Sequence, residues 1–247
     1  RREQENCLDL SFATICGYAD HGAIVHYAAT PESDVSLKPE GLLLVDSGGH
    51  YLEGTTDITR TFALGPVTDE MKDMFTRVCR SNMNLAHAKF KYGCCGLNFD
   101  ILARAPFWDI NMDYNHGTGH GVGFVLNVHE GPNSFHWKQY PGRTAERVLE
   151  EGMITTDEPG IYLEGRFGIR TENELICRKG IKNEYGQFMY FENITYVPID
   201  LDAIDPDQMT ETEKRRLNEY HEGVYRTVSP FLEGEELAWL KQATRAI

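Results

Sequence analysis

The order of apolar and polar residues predicts short strands near the start of the chain. Residues 8–29 mix short apolar runs with Gly and Asp, a pattern typical of strand and loop. Residues 42–45 form a continuous apolar run that ends at Asp46-Ser-Gly-Gly, and residues 57–64 alternate and are rich in β-branched side chains. We expect these two runs to pair as antiparallel strands.

Helical spacing of apolar residues follows further along the chain. It extends from Thr68, a residue suited to cap a helix, to Phe90, and it returns from Thr210 onward. A shorter helix is expected over 98–108, where Pro106 would strain its end. The other stretches predict a strand at 124–128, a loop at 131–151, and strands at 153–158, 168–178 and 190–198. Strands that pair locally, with helices in separate runs, indicate an α+β fold.

Composition and charge narrow the classes of function. The 247 residues include 24 Lys+Arg and 38 Asp+Glu, a formal charge of −14, which argues against binding to nucleic acid or to an anionic membrane. No apolar run approaches the roughly 20 residues of a membrane helix, and no secretory signal precedes the first motifs. The chain opens without Met, so we expect a fragment or a trimmed product. Its six cysteines lack a CxxC pair and are expected to be reduced thiols in a cytosolic protein.

Two aspartates mark the first candidate site. Asp46 ends one expected strand and Asp57 begins the next, so in a hairpin their side chains can converge. A carboxylate at the end of an apolar strand is costly unless it is paired, hydrogen-bonded or bound to a metal. One such Asp is usually a turn residue. Two of them, eleven residues apart and flanked by Gly and Thr, make metal binding a competing interpretation.

A glycine-rich stretch carries three histidines, His116, His120 and His129. Its glycines fit neither the GxxxxGK[ST] nor the GxGxxG spacing of phosphate loops. Imidazoles grouped among glycines, two of them at the head of an expected strand, suggest ligands or proton carriers. Four histidines that no motif surrounds are interpreted as structural: His50, His87, His136 and His221.

Two glutamates extend the candidate metal site. Glu158 ends its strand at Pro159-Gly160, and Glu172 lies on a strand with Arg170 on the same face. Alone, Glu172 would be read as a solvated strand residue. Together with the two aspartates and His120, the glutamates make a set of four carboxylates and one imidazole, which suits two divalent cations. Oxygen-rich ligands without thiolate favour Mn²⁺, although Zn²⁺, Co²⁺ or Fe²⁺ would also bind.

The sequence resembles a known family at these same residues. The order Asp, Asp, His, Glu, Glu, within DSGGHYLEGTTDITRT, HGTGHGVGFVLNVHEGP and EPGIYLEGRFGIRTEN, resembles the pita-bread metallopeptidases, and Xaa-Pro aminopeptidase in its longer, three-domain cytosolic form above all. The resemblance implies a curved, mostly antiparallel sheet covered by helices. It implies a catalytic domain over 1–199, a helical C-terminal extension over 200–247, and N-terminal domains of the same protein that are missing here.

The resemblance also implies roles for individual residues. Asp46 would chelate the first metal, Asp57 and Glu172 would bridge both, and His120 and Glu158 would bind the second. A metal-bridging hydroxide would attack the bond before proline, with Glu158 as proton carrier. Substrate binding and proton transfer would fall to the remaining motif residues, namely His26, His116 and His129, with Tyr162 and Arg170 in the proline pocket. From the residues alone, Arg170 could instead orient a carboxylate ligand.

Three functions follow as hypotheses. The first is a dinuclear aminopeptidase that uses two Mn²⁺ ions and removes the residue before a penultimate proline. The second is a prolidase-like Xaa-Pro dipeptidase, and the third is a non-catalytic pita-bread scaffold that binds partners. We further expect a cytoplasmic homodimer that pairs through this domain, with peptides as partners and no nucleic acid or membrane.

Overall fold

The computed structural model describes residues 1–139 and 147–247. Within these residues, antiparallel strands pair mostly with their neighbours and four α-helices lie in separate runs between and after them, as the α+β prediction expects. The helices are α1 (Asp69–Ala86), α2 (Asp100–Trp108), α3 (Glu211–Val228) and α4 (Gly234–Ala243). The strands are β1 (Cys7–Asp9), β2 (Ile15–Tyr18), β3 (Leu42–Ser47), β4 (His50–Tyr51), β5 (Gly54–Thr55), β6 (Ile58–Ala63), β7 (Lys89–Lys91), β8 (Gly119–His120), β9 (Ser134–Phe135), β10 (Ile154–Asp157), β11 (Gly160–Leu163), β12 (Phe167–Arg170), β13 (Asn173–Asn183) and β14 (Gly186–Asn193).

One sheet contains the two strands expected near the start of the chain. Its order is β2-β3-β6, and all of its pairings are antiparallel. Asp46 on β3 lies opposite Thr59 on β6. The connection between them is longer than a simple turn, because the short hairpin β4–β5 is inserted. Asp57 therefore lies directly before β6 and not within it, which corrects the expected boundary by one residue.

The second sheet has the order β10-β13-β14-β7 and is also antiparallel. The single strand expected over 168–178 is wrong: β12 ends at Arg170, and β13 begins at Asn173. The break arises because the backbone NH of Thr171 bonds Pro159 and that of Glu172 bonds Thr59, which takes both residues out of either ladder. The strand expected over 190–198 is shifted, since β14 begins in a hairpin with β13 and stops at Asn193.

Helix α1 packs against strands on one side and against the C-terminal helix α3. The predicted cap is confirmed, since Thr68 Oγ1 accepts from the Met71 NH. The predicted end at Phe90 is wrong, because α1 stops at Ala86 and Phe90 is buried on strand β7. One face of α1, including Val78, packs in the same core cluster as Ile169 of β12 and Leu217 of α3. Helices α1 and α3 and the β11–β12 pair thus share one core.

The other helices follow the predicted positions. Helix α2 runs past Pro106 to Trp108, so the proline is accommodated inside the last turn. The helical stretch predicted from Thr210 is confirmed, and Thr210 and Glu213 form a capping box that satisfies the first backbone NH groups of α3. Among the described residues, no helix combines the length and the apolar character needed to cross a bilayer.

The strand predicted at 124–128 is wrong. The segment turns tightly, with Val125 at φ 52° and its NH bonded to Thr55 Oγ1, and Phe124 and Leu126 are exposed. The apolar run therefore faces solvent instead of forming a ladder. The loop predicted over 131–151 contains the short strand β9, and its residues 140–146 lie outside the described residues.

Candidate metal centre

The four predicted carboxylate ligands lie at the ends of two antiparallel ladders. Asp46 is near the end of β3, and Asp57 precedes the partner strand β6. In the other sheet, Asp157 pairs with Asn173, so Glu158 follows one strand and Glu172 precedes the other at the same end. The Glu172 NH donates to Thr59 O at 3.0 Å and joins the two ends. Strand register therefore brings together carboxylates more than a hundred residues apart in the chain.

His120 approaches this group from β8. A β-bridge between Gly121 and Thr155 holds its strand beside β10. Its Nδ1 lies 3.0 Å from Gly121 O, which only accepts, so Nδ1 carries the proton. Nε2 then faces Asp57 Oδ2 at 3.4 Å and Glu158 Oε1 at 3.2 Å. Metal-binding histidines typically have this arrangement, with one nitrogen donating to a carbonyl and the other directed at the ion.

Three overlapping sets of side chains could each hold an ion. Within each set, one donor atom per residue lies within 4.8 Å of the others. The sets are Asp46–Asp57–Glu172, His120–Glu158–Glu172 and Asp57–His120–His129. All five predicted ligands therefore meet in one place. No cysteine belongs to any of the sets found among the described residues, in line with a site for a hard or borderline cation.

Burial makes this group of carboxylates unfavourable without a cation. It raises the pKa of Glu158 to about 7 and that of Glu172 well above its usual value, and the charge of Asp57 adds to both shifts. The pKa of Asp46 is raised by burial, against the opposing charge of Arg170. Burial lowers the pKa of His120, but the hydrogen bond to Asp57 and the charge of Glu158 outweigh it and raise that pKa to about 9. The group binds positive charge strongly.

The residues present fit two divalent cations. Asp46 Oδ1 is buried without a hydrogen-bond partner, whereas Oδ2 accepts from Arg170. A buried carboxylate oxygen without a donor requires a cation or a proton nearby. Four carboxylates and one neutral imidazole supply the oxygen-rich donor set that two such ions need.

A chain of hydrogen bonds leads from the carboxylates to His116. Arg170 donates to Asp46 Oδ2 at 2.7 Å, to Thr59 Oγ1 at 3.0 Å and to the Tyr162 hydroxyl at 2.7 Å. The Tyr162 hydroxyl lies 2.9 Å from His116 Nε2, and His116 Nδ1 lies 2.7 Å from Gly117 O. Nδ1 is therefore the donor and Nε2 accepts from the tyrosine. Burial lowers the pKa of His116 to about 4 and keeps the ring neutral.

The contacts of Arg170 bear on the two roles left open for it. Its side chain is 2% exposed and its donors are directed at Asp46, Thr59 and Tyr162. These contacts are those of a residue that orients a carboxylate ligand. A role in a proline pocket stays a prediction, as it does for Tyr162.

The remaining predicted residues lie at the open side of the cluster. The His129 ring is exposed and stands edge-on to His120, with ring centroids 4.1 Å apart. Burial and the charge of His120 lower its pKa. His26 is exposed, and its charge contributes to lowering the pKa of both His116 and His129.

Three supporting residues were not singled out from the sequence. Thr59 donates to Glu172 Oε2 at 2.8 Å, Thr156 donates to Glu158 Oε1 at 2.9 Å, and Glu174 accepts from the Asp57 NH at 3.0 Å. Each lies within two residues of a predicted ligand. Alternation along a strand could have indicated them, since residues two apart share a face.

Comparison with known proteins places these residues in a family. The model of metallopeptidase family M24 matches residues 1–179, and that of the C-terminal region of peptidase M24 matches residues 187–247. Aminopeptidase P1 of Arabidopsis thaliana is 40% identical over the whole chain, which covers 38% of that protein. Aminopeptidase P2 of the same plant is 43% identical and is covered to 35%. The chain therefore spans a little over a third of the length of these two relatives.

A solved structure agrees with the sequence comparison. The X-prolyl aminopeptidase from Caenorhabditis elegans, described as a cytosolic enzyme with a di-nuclear active site, matches with a TM-score of 0.92 and 35% identity. The match covers 100% of this chain and 40% of that one, and it confirms the expected pita-bread fold. The carboxylates and His120 that meet at the ladder ends are thus set in the fold of a relative described as having a di-nuclear active site. The chain belongs to metallopeptidase family M24.

Proposed function

We propose that this chain is the catalytic region of a dinuclear metal-dependent aminopeptidase that cleaves the bond between an N-terminal residue and a penultimate proline. The observation that carries the proposal is the meeting of Asp46, Asp57, His120, Glu158 and Glu172 within three overlapping ligand sets. The substrate class is carried over from the aminopeptidase P relatives, which are about 40% identical over the whole chain. The C. elegans relative also suggests a cytosolic location.

The metals are proposed to be two Mn²⁺ ions. Asp46 would chelate one ion, His120 and Glu158 the other, and Asp57 and Glu172 would bridge both. Four carboxylates offset the repulsion between two adjacent dications, and a set of mostly oxygen ligands without thiolate favours Mn²⁺ over softer ions. When bound, such a pair supplies a water activated for attack near neutral pH and polarises the substrate carbonyl.

The protein's own residues would bind the peptide and move its protons. His129, at the open side, would donate to the carbonyl oxygen as negative charge develops there. Glu158, whose Oε1 faces His120, would carry the proton to the departing nitrogen of proline. His116, held neutral by burial and hydrogen-bonded to Tyr162, would bind the peptide together with His26. Arg170 would keep Asp46 in position for its ion.

A pair of tripeptides tests the proposal. The full-length protein, loaded with Mn²⁺, should cleave Arg-Pro-Pro and leave the matched Arg-Ala-Pro almost untouched, as measured by chromatography of the released arginine. Asp57→Asn should lower the rate by about a hundredfold or more, because it removes a charge placed to bridge both ions. Glu192→Gln, an exposed carboxylate paired with Arg178, is the matched control and should leave the rate unchanged. Equal cleavage of both peptides would contradict the proline preference.

An Xaa-Pro dipeptidase is the second candidate function. The Xaa-Pro dipeptidase from Bacillus anthracis shares the fold, with a TM-score of 0.64 and 29% identity over 80% of this chain. The higher TM-score of 0.92 with the X-prolyl aminopeptidase favours the first candidate. Peptide length separates the two, since a dipeptidase would cleave Arg-Pro and reject Arg-Pro-Pro.

A further inference from the structure

Arg60, on β6, is buried at 3% exposure, three residues after the proposed bridging ligand Asp57. Its guanidinium donates to two groups of acceptors. On the side of the metal centre, Nη1 donates to Glu172 O at 2.7 Å and to Thr59 O at 2.8 Å, and Nη2 donates to Asn173 Oδ1 at 2.6 Å. The arginine is therefore bonded directly to the backbone of a proposed ligand.

The other acceptors belong to the C-terminal segment, defined here as residues 195–247. Nε donates to Pro198 O at 3.0 Å, and Nη2 donates to Val197 O and to the Tyr220 hydroxyl, each at 2.8 Å. Tyr220, on α3, in turn donates to Val197 O at 2.6 Å. One side chain thus joins α3 and the chain that leads to it with the strand end where Glu172 lies.

Among the residues that the structure describes, the hydrogen-bond acceptors of Arg60 are backbone carbonyl oxygens, one amide oxygen and one phenol oxygen. Burial of a guanidinium is costly, and a partner carboxylate usually offsets the cost. Here the arginine uses its planar, five-donor geometry to fix several backbone oxygens at once. Lysine, with three donors on a flexible stem, cannot reproduce that geometry.

We propose that Arg60 is a positioning residue through which the C-terminal segment holds the Glu172 strand end in the geometry that binds two metals. The proposal rests on the proposed function and adds a role for the C-terminal segment in it. Glu172 lies at the break between β12 and β13, where neither ladder fixes its backbone. The Thr59 O bond to its NH and the Arg60 bond to its carbonyl fix it instead.

Metal binding by two conservative variants tests the role of Arg60. In the full-length protein, Arg60→Lys should weaken Mn²⁺ binding by about tenfold, the loss typical of an outer partner of a metal ligand. Tyr220→Phe removes only the hydroxyl that Arg60 bonds and should weaken binding by about threefold. Titration calorimetry gives the affinity and the number of ions. Electron paramagnetic resonance should show the coupled Mn²⁺ pair of the wild type partly replaced by isolated Mn²⁺ in Arg60→Lys.

Arg80→Lys is the matched control. Arg80, on α1, also bonds the C-terminal segment, through Glu213 at 2.8 Å, but it contacts none of the proposed ligands. The Arg80→Lys substitution should leave the Mn²⁺ affinity unchanged even if it lowers the melting temperature. If Arg60→Lys does not fold, Tyr220→Phe alone decides.

Two results would overturn the proposal. If both Tyr220→Phe and Arg60→Lys keep the Mn²⁺ affinity and the Mn²⁺ coupling of the wild type, the Arg60 contacts do not position the metal ligands. An equal loss in Arg80→Lys would show that any loosening of the segment has the same effect. In either case, hydrolysis of Arg-Pro-Pro by the wild-type protein would leave the proposed function standing. A wild-type protein that binds no Mn²⁺ would contradict the proposed function as well.

Discussion

His221, on α3, bonds the segment that leads to that helix. It is fully buried, and its Nε2 accepts from the Ile199 NH at 3.1 Å. That nitrogen must remain unprotonated for the bond to exist. Burial, followed by the charges of Arg60 and Arg245, lowers the pKa of His221 to about 4 from an ordinary value of 6.5. The folded chain therefore holds this imidazole neutral in mildly acidic solution.

This histidine should make the chain less stable in acid. Between pH 6.5 and about 4 the unfolded state takes up a proton at His221 that the folded state does not, so stability falls as the pH falls through that window. Relative to His221→Gln, the wild type should lose about 1.5 kcal/mol of unfolding free energy between pH 6.5 and 5. Urea unfolding of both proteins without metal measures this difference. Parallel pH profiles would contradict it.

Single residues differ in how far the sequence reveals them. Asp57, His120 and Glu172 could be predicted because buried carboxylates and clustered imidazoles need a chemical reason, and their motifs resemble a known family. Arg60 could not, although it stands inside one of those motifs. Its partners are mostly backbone oxygens, and every residue carries one, so composition and spacing give no sign of them.

At the scale of elements, α2 fixes the loop that carries His116. Arg104 is fully buried, forms an ion pair with Asp100 one turn earlier, and stacks over the Tyr114 ring at 4.1 Å. It also donates to Tyr114 O and His116 O, each at 2.7 Å. Asp100 accepts from the Thr118 hydroxyl at 2.6 Å. Arg104 therefore neutralises Asp100 and also donates hydrogen bonds to backbone carbonyls of the loop.

Removal of this arginine should be strongly destabilising. Arg104→Met leaves Asp100 buried without its partner, which should cost about 3–5 kcal/mol of unfolding free energy. Arg178→Met is the matched control, because Arg178 and Glu192 form an exposed pair on the second sheet. It should cost at most about 1 kcal/mol. Chemical denaturation of both variants measures the two losses of unfolding free energy. Equal losses would show that the buried Arg104–Asp100 pair contributes no more to stability than an exposed pair.

Elements were predictable where the local pattern and the tertiary contacts agree. The pairing of β3 with β6 and the cap of α1 follow from alternation and from Thr68. The break at residues 171–172 and the turn at 124–128 do not. At 171–172, the backbone NH groups bond to Pro159 and Thr59 instead of continuing a strand ladder. At 124–128, the Val125 NH donates to the Thr55 hydroxyl, and the apolar side chains are exposed to solvent.

For the whole molecule, metal binding and stability should be linked. A ligand that binds only the folded state stabilises it by about 2.7 kcal/mol at a hundred times its dissociation constant, or about 5 kcal/mol for two independent sites. For a chain of this size we expect a rise in melting temperature of about 10 °C or more on saturation with Mn²⁺. Calorimetry with and without chelator measures it. Asp57→Asn should lose most of the rise, and an undiminished rise in that variant would place the ions elsewhere.

The architecture of the whole chain was predictable to the level of the α+β class and, by resemblance, the pita-bread fold. The sequence does not show how α3 shares a core with α1 and β12, because the core cluster that contains Val78 and Leu217 joins positions far apart in the chain. The net charge of −14 is also informative only in part. Most of the 38 acidic residues lie outside the proposed ligand set, and only four belong to it.

The distribution of the ligands along the chain has a kinetic consequence. Asp46 and Glu172 are 126 positions apart, and the complete ligand set exists only once two separate strand pairs and β8 have come together. A chain still on its way to the native state therefore offers no complete site. Ions that bind after the folding barrier slow unfolding without hastening folding. Loaded metal would thus lengthen the lifetime of the folded protein and leave the time needed to reach it unchanged.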